Sequence, residues 1–494
     1  MNAIFNESQN QLFYTDTALA LQGTHSIMNR ALVIMDELSP PQRGPRLACS
    51  TVRKVHSIRA AVREWRTAEG ITSNVSGSVL FTQGYSDQPT EVRLELHGLQ
   101  QLASGLHVHE VWVPIDRRFP CSIDAVHDAY NPLQIDSSGG IGIAPGVGSA
   151  DQYEVGDLGG KFGGLTGKTS DHSSHLDRIL SMYAPHSIVG RSVVIYQQRR
   201  NFRWTCGTIE PQLDKQQGIL LQAMVSFHDP QHVIQGYVRL RQFEYKDGST
   251  SVTWMNVNLK HAGNQNRNVT NDHGWAVYVN QVGADAFIAA PTVRCLASGF
   301  RWNPFLVESK SKSYERDCNQ WNPLRCEMGD LTGRLGGLRI GGKKQLFADP
   351  NLPLVGNHSV MFRSLIIFDD KHRDRKLACG NILPERQLQA SLSVRTHAGF
   401  TLESFMDHFR RKLQVAEWLA QLDLAASRPI LDGQCVQATI RFFGADAHRL
   451  QIEFSNLLNL GSVVKQIQGV QKTIHTSYKP CRTCELRLYK KNLN

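Results

Sequence analysis

The stretch GLHVHEVW at 105–112 places His107 and His109 two residues apart. In an extended strand that spacing sends both imidazoles to one face, where they can converge on a single ion. His127 follows in CSIDAVHDAYNP at 121–132, and neutral imidazoles suit a transition metal such as copper. Arg199, Arg200 and Arg203 cluster further along, beside RWTCG. A fixed positive charge next to an open metal position attracts anions. Asp157, in YEVGDLGG at 153–160, reads as a turn-stabilising acceptor, because the matching GDLTG with Asp330 occurs in a part of the chain without such histidines.

Strands must position these residues. GSVLFTQ at 77–83, EVRLELHG at 91–98, GYVRLRQFEY at 236–245 and TSVTWMNVNLKH at 250–261 alternate in polarity and are rich in β-branched and aromatic residues, which predicts antiparallel strands half facing a core. Three segments share a further pattern, HS-x-x-x-R, an apolar strand, a polar turn and a cysteine-bearing strand, at 24–52, 185–209 and 357–382. Upstream, QLFYTDTALALQGTHS at 11–26 parallels QLFADPNLPLVGNHS at 345–359. Self-similarity of this kind marks tandem domains. The expected units are 1–52, the closing strands of a truncated domain; 55–210 and 216–382, complete β-sandwiches; and 386–494, a divergent partial unit. That last unit opens on a helical segment near 400–426, where Phe405, Phe409, Leu413 and Trp418 recur near helical spacing, and continues into strand-like QATIRFFG and HRLQIEFSNLL.

In order and spacing, the HVH pair, the CSIDAVHDAYNP loop, the GDLGG turn, HSIVGRSVVIY and RWTCG resemble the Cu/Zn superoxide dismutase family. The resemblance covers 55–210 and, more faintly, 216–382. It implies an all-β fold of tandem Greek-key sandwiches or barrels. It also implies copper ligands at His107, His109 and His127, a disulfide between Cys121 and Cys206, and Arg203 as the arginine that guides superoxide to copper.

The departures from that pattern are specific. The strand that brings the family's fourth copper histidine reads GRSVVIY, with Tyr196 in that place. The zinc loop keeps Asp157, but Glu154 replaces the preceding histidine and no histidine lies between His127 and Asp157, so no zinc is expected. Only six residues separate Tyr196 from Arg203, and the long electrostatic loop is missing. These features resemble the copper-only branch, which retains four copper histidines where this unit has three. His186 belongs to the repeated HS, and a structural role is expected for it. In the 216–382 unit, Ala276, Tyr278, Arg301 and Phe368 stand at the four ligand places and Lys376 at the guiding arginine, with Cys295 to Cys379 as the expected bridge. Cys318 and Cys326 lie in its long loop and are a candidate bridge. Met35 and Arg46 hold the corresponding places in 1–52, leaving Cys49 without its partner.

Composition narrows the classes. The chain has 494 residues, 41% hydrophobic and 20% charged, with no run long enough to span a membrane. The net charge of +10 is spread through strands and loops, which argues against nucleic acid as a partner. Ten cysteines and sequons at Asn6, Asn74, Asn268 and Asn357 favour a secreted, disulfide-bonded glycoprotein. The start MNAIFNESQN has no signal-peptide pattern, so an extracellular protein is expected to lack its true N-terminus here. In CRTC at 481–484 a disulfide to Cys435 is favoured over zinc. The Gly-rich 137–150 lacks the lysine and helix of a phosphate loop. Two functions fit: one copper ion in the 55–210 unit, dismutating superoxide with impaired turnover, or a non-catalytic extracellular scaffold or adhesion protein with at most a copper-binding role.

Overall fold

The computed structural model describes the chain apart from residues 1–3, 7–10, 14–15, 29, 37–43, 53, 137–143, 199–201, 229–232, 264–268, 289, 291–292, 372–374, 468–469 and 482–494. Arg199, Arg200, Asn268, Cys484 and half of the Gly-rich loop therefore lie outside the described residues. Strands in several antiparallel sheets dominate, and two longer helices stand near the C-terminal end.

Strands β1 (Ala31–Met35) and β2 (Arg46–Thr51) form a hairpin. The first sandwich follows, from β3 (Ile58–Val62), β4 (Arg66–Thr67), β5 (Ser76–Gln83), β6 (Thr90–His97), β7 (Ala103–His109), β8 (Asp171–Asp177), β9 (Ser192–Gln197), β10 (Phe202–Thr208) and β11 (Glu210–Pro211). One sheet runs β8-β6-β5-β3-β11 and the other β4-β10-β9-β7. The alternation seen in the sequence is realised directly. Along β6, Thr90, Val92, Leu94 and Leu96 are buried while Arg93, Glu95 and His97 face outward. Each such apolar side chain removed from water contributes about 2 kcal/mol.

The second sandwich uses β12 (Gly218–Phe227), β13 (Ile234–Tyr245), β14 (Thr253–His261), β15 (Trp275–Tyr278), β16 (Gln345–Asp349), β17 (Ser364–Phe368), β18 (Lys376–Asn381) and β19 (Leu383–Pro384). Its sheets run β16-β14-β13-β12-β19 and β15-β17-β18, the order of the first sandwich without a counterpart of β4 among the described residues. The two are not separate beads. Phe243, Tyr245 and Trp254 belong to the same apolar cluster as Ile58, Val79 and Phe81.

The repeated HS-x-x-x-R has one physical meaning in all three places. The serine hydroxyl donates to a carbonyl five residues back: Ser26 to Leu21 at 2.8 Å, Ser187 to Met182 at 2.8 Å and Ser359 to Leu354 at 2.7 Å. It accepts from the amide two residues on, of Met28, Val189 and Met361. The arginine Nε then donates to the serine carbonyl, in Arg30, Arg191 and Arg363. The hairpin after it shifts register at one equivalent point in each copy, between Ile34 and Met35, Ile195 and Tyr196, and Ile367 and Phe368.

Beyond β19 the structure departs from a partial sandwich. Strands β20 (Arg386–Arg395), β21 (Ala420–Leu422), β22 (Arg428–Ile430) and β23 (Cys435–Gly444) make one antiparallel sheet, with α1 (Leu402–Leu413) and α2 (Ala447–Leu460) sharing its core. Thr401 caps α1 by accepting from the Ser404 amide, and Gln414, at φ 51°, ends it. The segment HRLQIEFSNLL is the second half of this correction. Its L-Q-I-E-F alternates like a strand, yet Leu450, Phe454, Leu457 and Leu458 are buried and Ile452 is 46% exposed, so helical spacing wins.

One buried carboxylate joins this last body to the first sandwich. Asp423, 1% exposed, holds Arg66 of β4 at 2.9 Å and Arg441 of β23 at 2.6 Å. Burial works to raise its carboxyl, but the two guanidiniums prevail and hold it below the usual range. A depressed carboxylate stabilises above its unfolded value and stops doing so as pH falls through the folded one. Asp423→Asn is expected to lose about 3 kcal/mol in urea unfolding at pH 7, as when a buried pair is broken. The gap from wild type should narrow as pH falls from 7 to 3; an equal gap at both would exclude the ion pairs as its source.

Candidate metal centre

His107 and His109 lie on β7 opposite Val194 and Ser192 of β9. Tyr196, one bulge further along β9, turns its ring towards both, with centroids at 5.2 Å from His107 and 6.0 Å from His109. Across the hairpin Tyr196 pairs with Arg203 of β10. The same register places Met35 opposite Arg46 and Phe368 opposite Lys376.

His109 is fully buried, and both its nitrogens are engaged. Nδ1 lies 3.0 Å from the His127 carbonyl, which can only accept, so Nδ1 carries the hydrogen. Nε2 is then the lone pair, and it accepts the Tyr196 hydroxyl at 2.8 Å. Burial holds this imidazole down at about 4, the uncharged form at any ordinary pH. Burial also raises the Tyr196 phenol, against the pull of Arg203, so the hydroxyl keeps its proton. His107 differs. Its Nε2 points at Asp157 Oδ1 at 3.4 Å, leaving Nδ1 buried and without a hydrogen-bond partner.

His127 stands at φ 62° at the end of a short helical turn, Ile123–Val126. Its Nδ1 lies 3.6 Å from Glu110 Oε2, longer than a hydrogen bond. The His127 ring, with Lys343, holds the Glu110 carboxyl below the usual range. Lys343, from the second sandwich, also pairs with Asp128 at 2.9 Å. Glu110 adjoins His109 in the sequence and was open to inspection there. Lys343, two hundred-odd residues away, carried no local signal.

The loop bearing His127 is held from two sides. The Cys121–Cys206 disulfide ties it to β10, and the Arg191 guanidinium packs 3.7 Å from the Tyr130 ring centroid. Cys295–Cys379 and Arg363 over Trp302 repeat this in the second sandwich. Cys318–Cys326 and Cys435–Cys481 complete the disulfides among the described residues, and Cys49 is free and exposed. His186 offers its backbone carbonyl to Tyr130, so its place in the repeat is structural. Asp157 caps the turn Leu158–Phe162 by accepting from the Gly160 amide, as Asp330 does from Gly333.

Counting from the cysteine puts Arg301 in the place of His127, but the structure puts Gly299 there. The loop of the second sandwich is shorter between its cysteine and the short helical turn. Gly299 closes that turn at φ 77°, as His127 does at φ 62°, and Arg301 bridges to Tyr278 where Ala129 bridges to His109. Arg301 is ion-paired to Asp330 and Glu327. Ala276, Tyr278 and Phe368 occupy the expected places.

Paired strand histidines, a disulfide-held loop and an arginine at the bulge define a dismutase-type sandwich. The family described as copper/zinc superoxide dismutase matches residues 75–218. The superoxide dismutase [Cu-Zn] of Cryptococcus neoformans var. grubii is 33% identical over 125 residues, which is 25% of this chain and 71% of that protein. The extracellular superoxide dismutase [Cu-Zn] of Drosophila melanogaster is 30% identical over 125 residues, 25% of this chain and 61% of that protein. A solved Cu(II) form of Candida albicans superoxide dismutase 5 is 25% identical with a TM-score of 0.25, covering 33% of this chain and 95% of that one. The chain belongs to the copper/zinc superoxide dismutase family.

The family implies copper, so the donors can be tested against it. The dry, unpartnered Nδ1 of His107 would suit an ion. The buried Nδ1 of His127 likewise has no hydrogen-bond partner, but the lone pair of His109 is taken by a phenol hydrogen. Among the described residues no three His, Cys, Asp or Glu side chains already stand as a ligand group. As arranged, His107, His109 and His127 do not make a three-imidazole copper site, because the His109 lone pair is engaged by Tyr196.

The 85-residue separation between Cys121 and Cys206 sets what their bond contributes. The double variant Cys121→Ala, Cys206→Val is expected to lose about 4 kcal/mol in urea unfolding followed by tryptophan fluorescence. Unchanged stability would show that Arg191 and Tyr130 hold the loop unaided.

Proposed function

We propose that this chain is an extracellular dismutase-fold repeat protein whose sandwiches serve as structural and interaction units, and whose first sandwich does not turn over superoxide. The observation that carries the reading is the 2.8 Å hydrogen bond from Tyr196 to His109 Nε2. A neutral phenol fills the position where the family's fourth imidazole belongs and occupies the nitrogen that would face copper. The second sandwich supports it, since its equivalent places hold Ala276, Tyr278, Gly299 and Phe368 within the same strand order. The proposed domains are the sequence units 1–52, 55–210 and 216–382, with 386–494 as a body of its own kind. Four disulfides suit an oxidising compartment, and the Drosophila relative is named extracellular.

One observation favours the second reading, a copper ion on His107, His109 and His127 with Arg203 guiding superoxide and no zinc. His107 Nδ1 and Arg203 Nη1 are both buried without partners, as groups awaiting an ion and an anion would be. That reading requires the Tyr196 hydroxyl to leave His109.

Copper resistant to a chelator wash, measured with superoxide turnover on the full chain, separates the two. Wild type is expected to keep well below one equivalent and to show no turnover above free copper. Tyr196→His, which removes the phenol and supplies a fourth imidazole, should keep about one equivalent. Stoichiometric copper with turnover in wild type, both lost in His109→Ala, would sink the proposal. Asn74 and Asn357 are exposed, so secreted protein should also shift in mass on enzymatic deglycosylation, and an unshifted band would count against secretion.

A further inference from the structure

The outer face of the first sandwich carries imidazoles that the buried site does not use. Strands β6 and β8 are antiparallel neighbours, with His172 directly opposite Glu95. His97 lies two residues beyond Glu95 on β6 and therefore shares its face. Both histidines and Glu95 are exposed. The His97 and His172 rings stand with centroids 4.9 Å apart at 63°, close enough for nitrogens of both to reach one ion. Arg93, which shares that face of β6, is already paired with Glu91 at 3.2 Å. On the other flank Ser76 and Ser78 of β5 lie opposite His97 and Glu95 and add no charge.

We propose that His97 and His172, completed by the Glu95 carboxylate and water, form a surface site for a divalent transition-metal ion of the nickel, copper and zinc class. Two imidazoles select this class over calcium or magnesium, which prefer all-oxygen shells. The site is not pre-assembled, because no three such side chains among the described residues already stand as a ligand group. Glu95 is an exposed side chain on a fixed strand, and turning it towards His172 needs only a change of rotamer. The paired strands fix the backbone of all three residues, which limits the ordering cost to their side-chain rotamers.

The test is calorimetric titration of the full chain with Ni(II), in wild type, His97→Ala, His172→Ala, Glu95→Gln and His109→Ala. One equivalent should bind wild type and His109→Ala alike, and binding should weaken at least tenfold in each histidine variant of the surface pair and in Glu95→Gln. Undiminished binding in His97→Ala or His172→Ala, or no saturable binding in wild type, overturns the site; undiminished binding in Glu95→Gln overturns the carboxylate's part in it. His109→Ala alters the buried centre alone, so this outcome is independent of whether copper binds there.

Discussion

The serine and arginine of the HS-x-x-x-R repeat hold the loop of Cys121 and His127 from within the sandwich. A buried guanidinium is costly unless its hydrogens find acceptors, and Arg191 meets that demand with the Ser187 and Glu110 carbonyls and the Tyr130 ring. In doing so it fixes the loop of Cys121 and His127 against the last hairpin. Arg363, with the Ser359 and Val279 carbonyls and Trp302, fixes the corresponding loop of the second sandwich, which has no ligands left. The loop is thus held through protein groups in both sandwiches. That hold lets ligands be lost one by one without loss of the fold.

The state of the first site follows from the same logic. With the loop already held, β9 is free to carry a residue other than histidine at the end of its run. Tyrosine there meets the requirement that a buried polar group be hydrogen-bonded, because His109 has one lone pair to offer and the phenol one hydrogen. The pair is uncharged on both sides, which suits a site with little water. Arg203 remains beside it as a positive group whose Nη1 has no partner.

Much of this was legible in the residues. Period-two patterning gave β5, β6, β13 and β14, and the repeat gave the hairpins with their cysteines, because each signal is local and tied to backbone geometry. Cys121–Cys206 and Cys295–Cys379 followed from the family resemblance and the repeat, and Cys318–Cys326 from a shared loop, whereas which cysteine of CRTC bonds Cys435 did not. Other features needed the third dimension. The sequence shows Tyr196 in a ligand's place, but that its hydroxyl closes on His109 depends on a bulge in β9. Counting from Cys295 missed Gly299, since a two-residue difference in a loop is invisible without the turn it closes. Helix α2 was hidden because L-Q-I-E-F satisfies a strand pattern over five residues, and only the wider spacing of Leu450, Phe454 and Leu457 identifies the buried stripe.

The apolar cluster that Phe243, Tyr245 and Trp254 share with the first sandwich also governs how such an array can change over time. Repeats that touch only through linkers can be duplicated, deleted or shuffled as modules. Here, excising either sandwich would strand large aromatic side chains in water. A sandwich without ligands therefore still serves as the wall against which its neighbour packs.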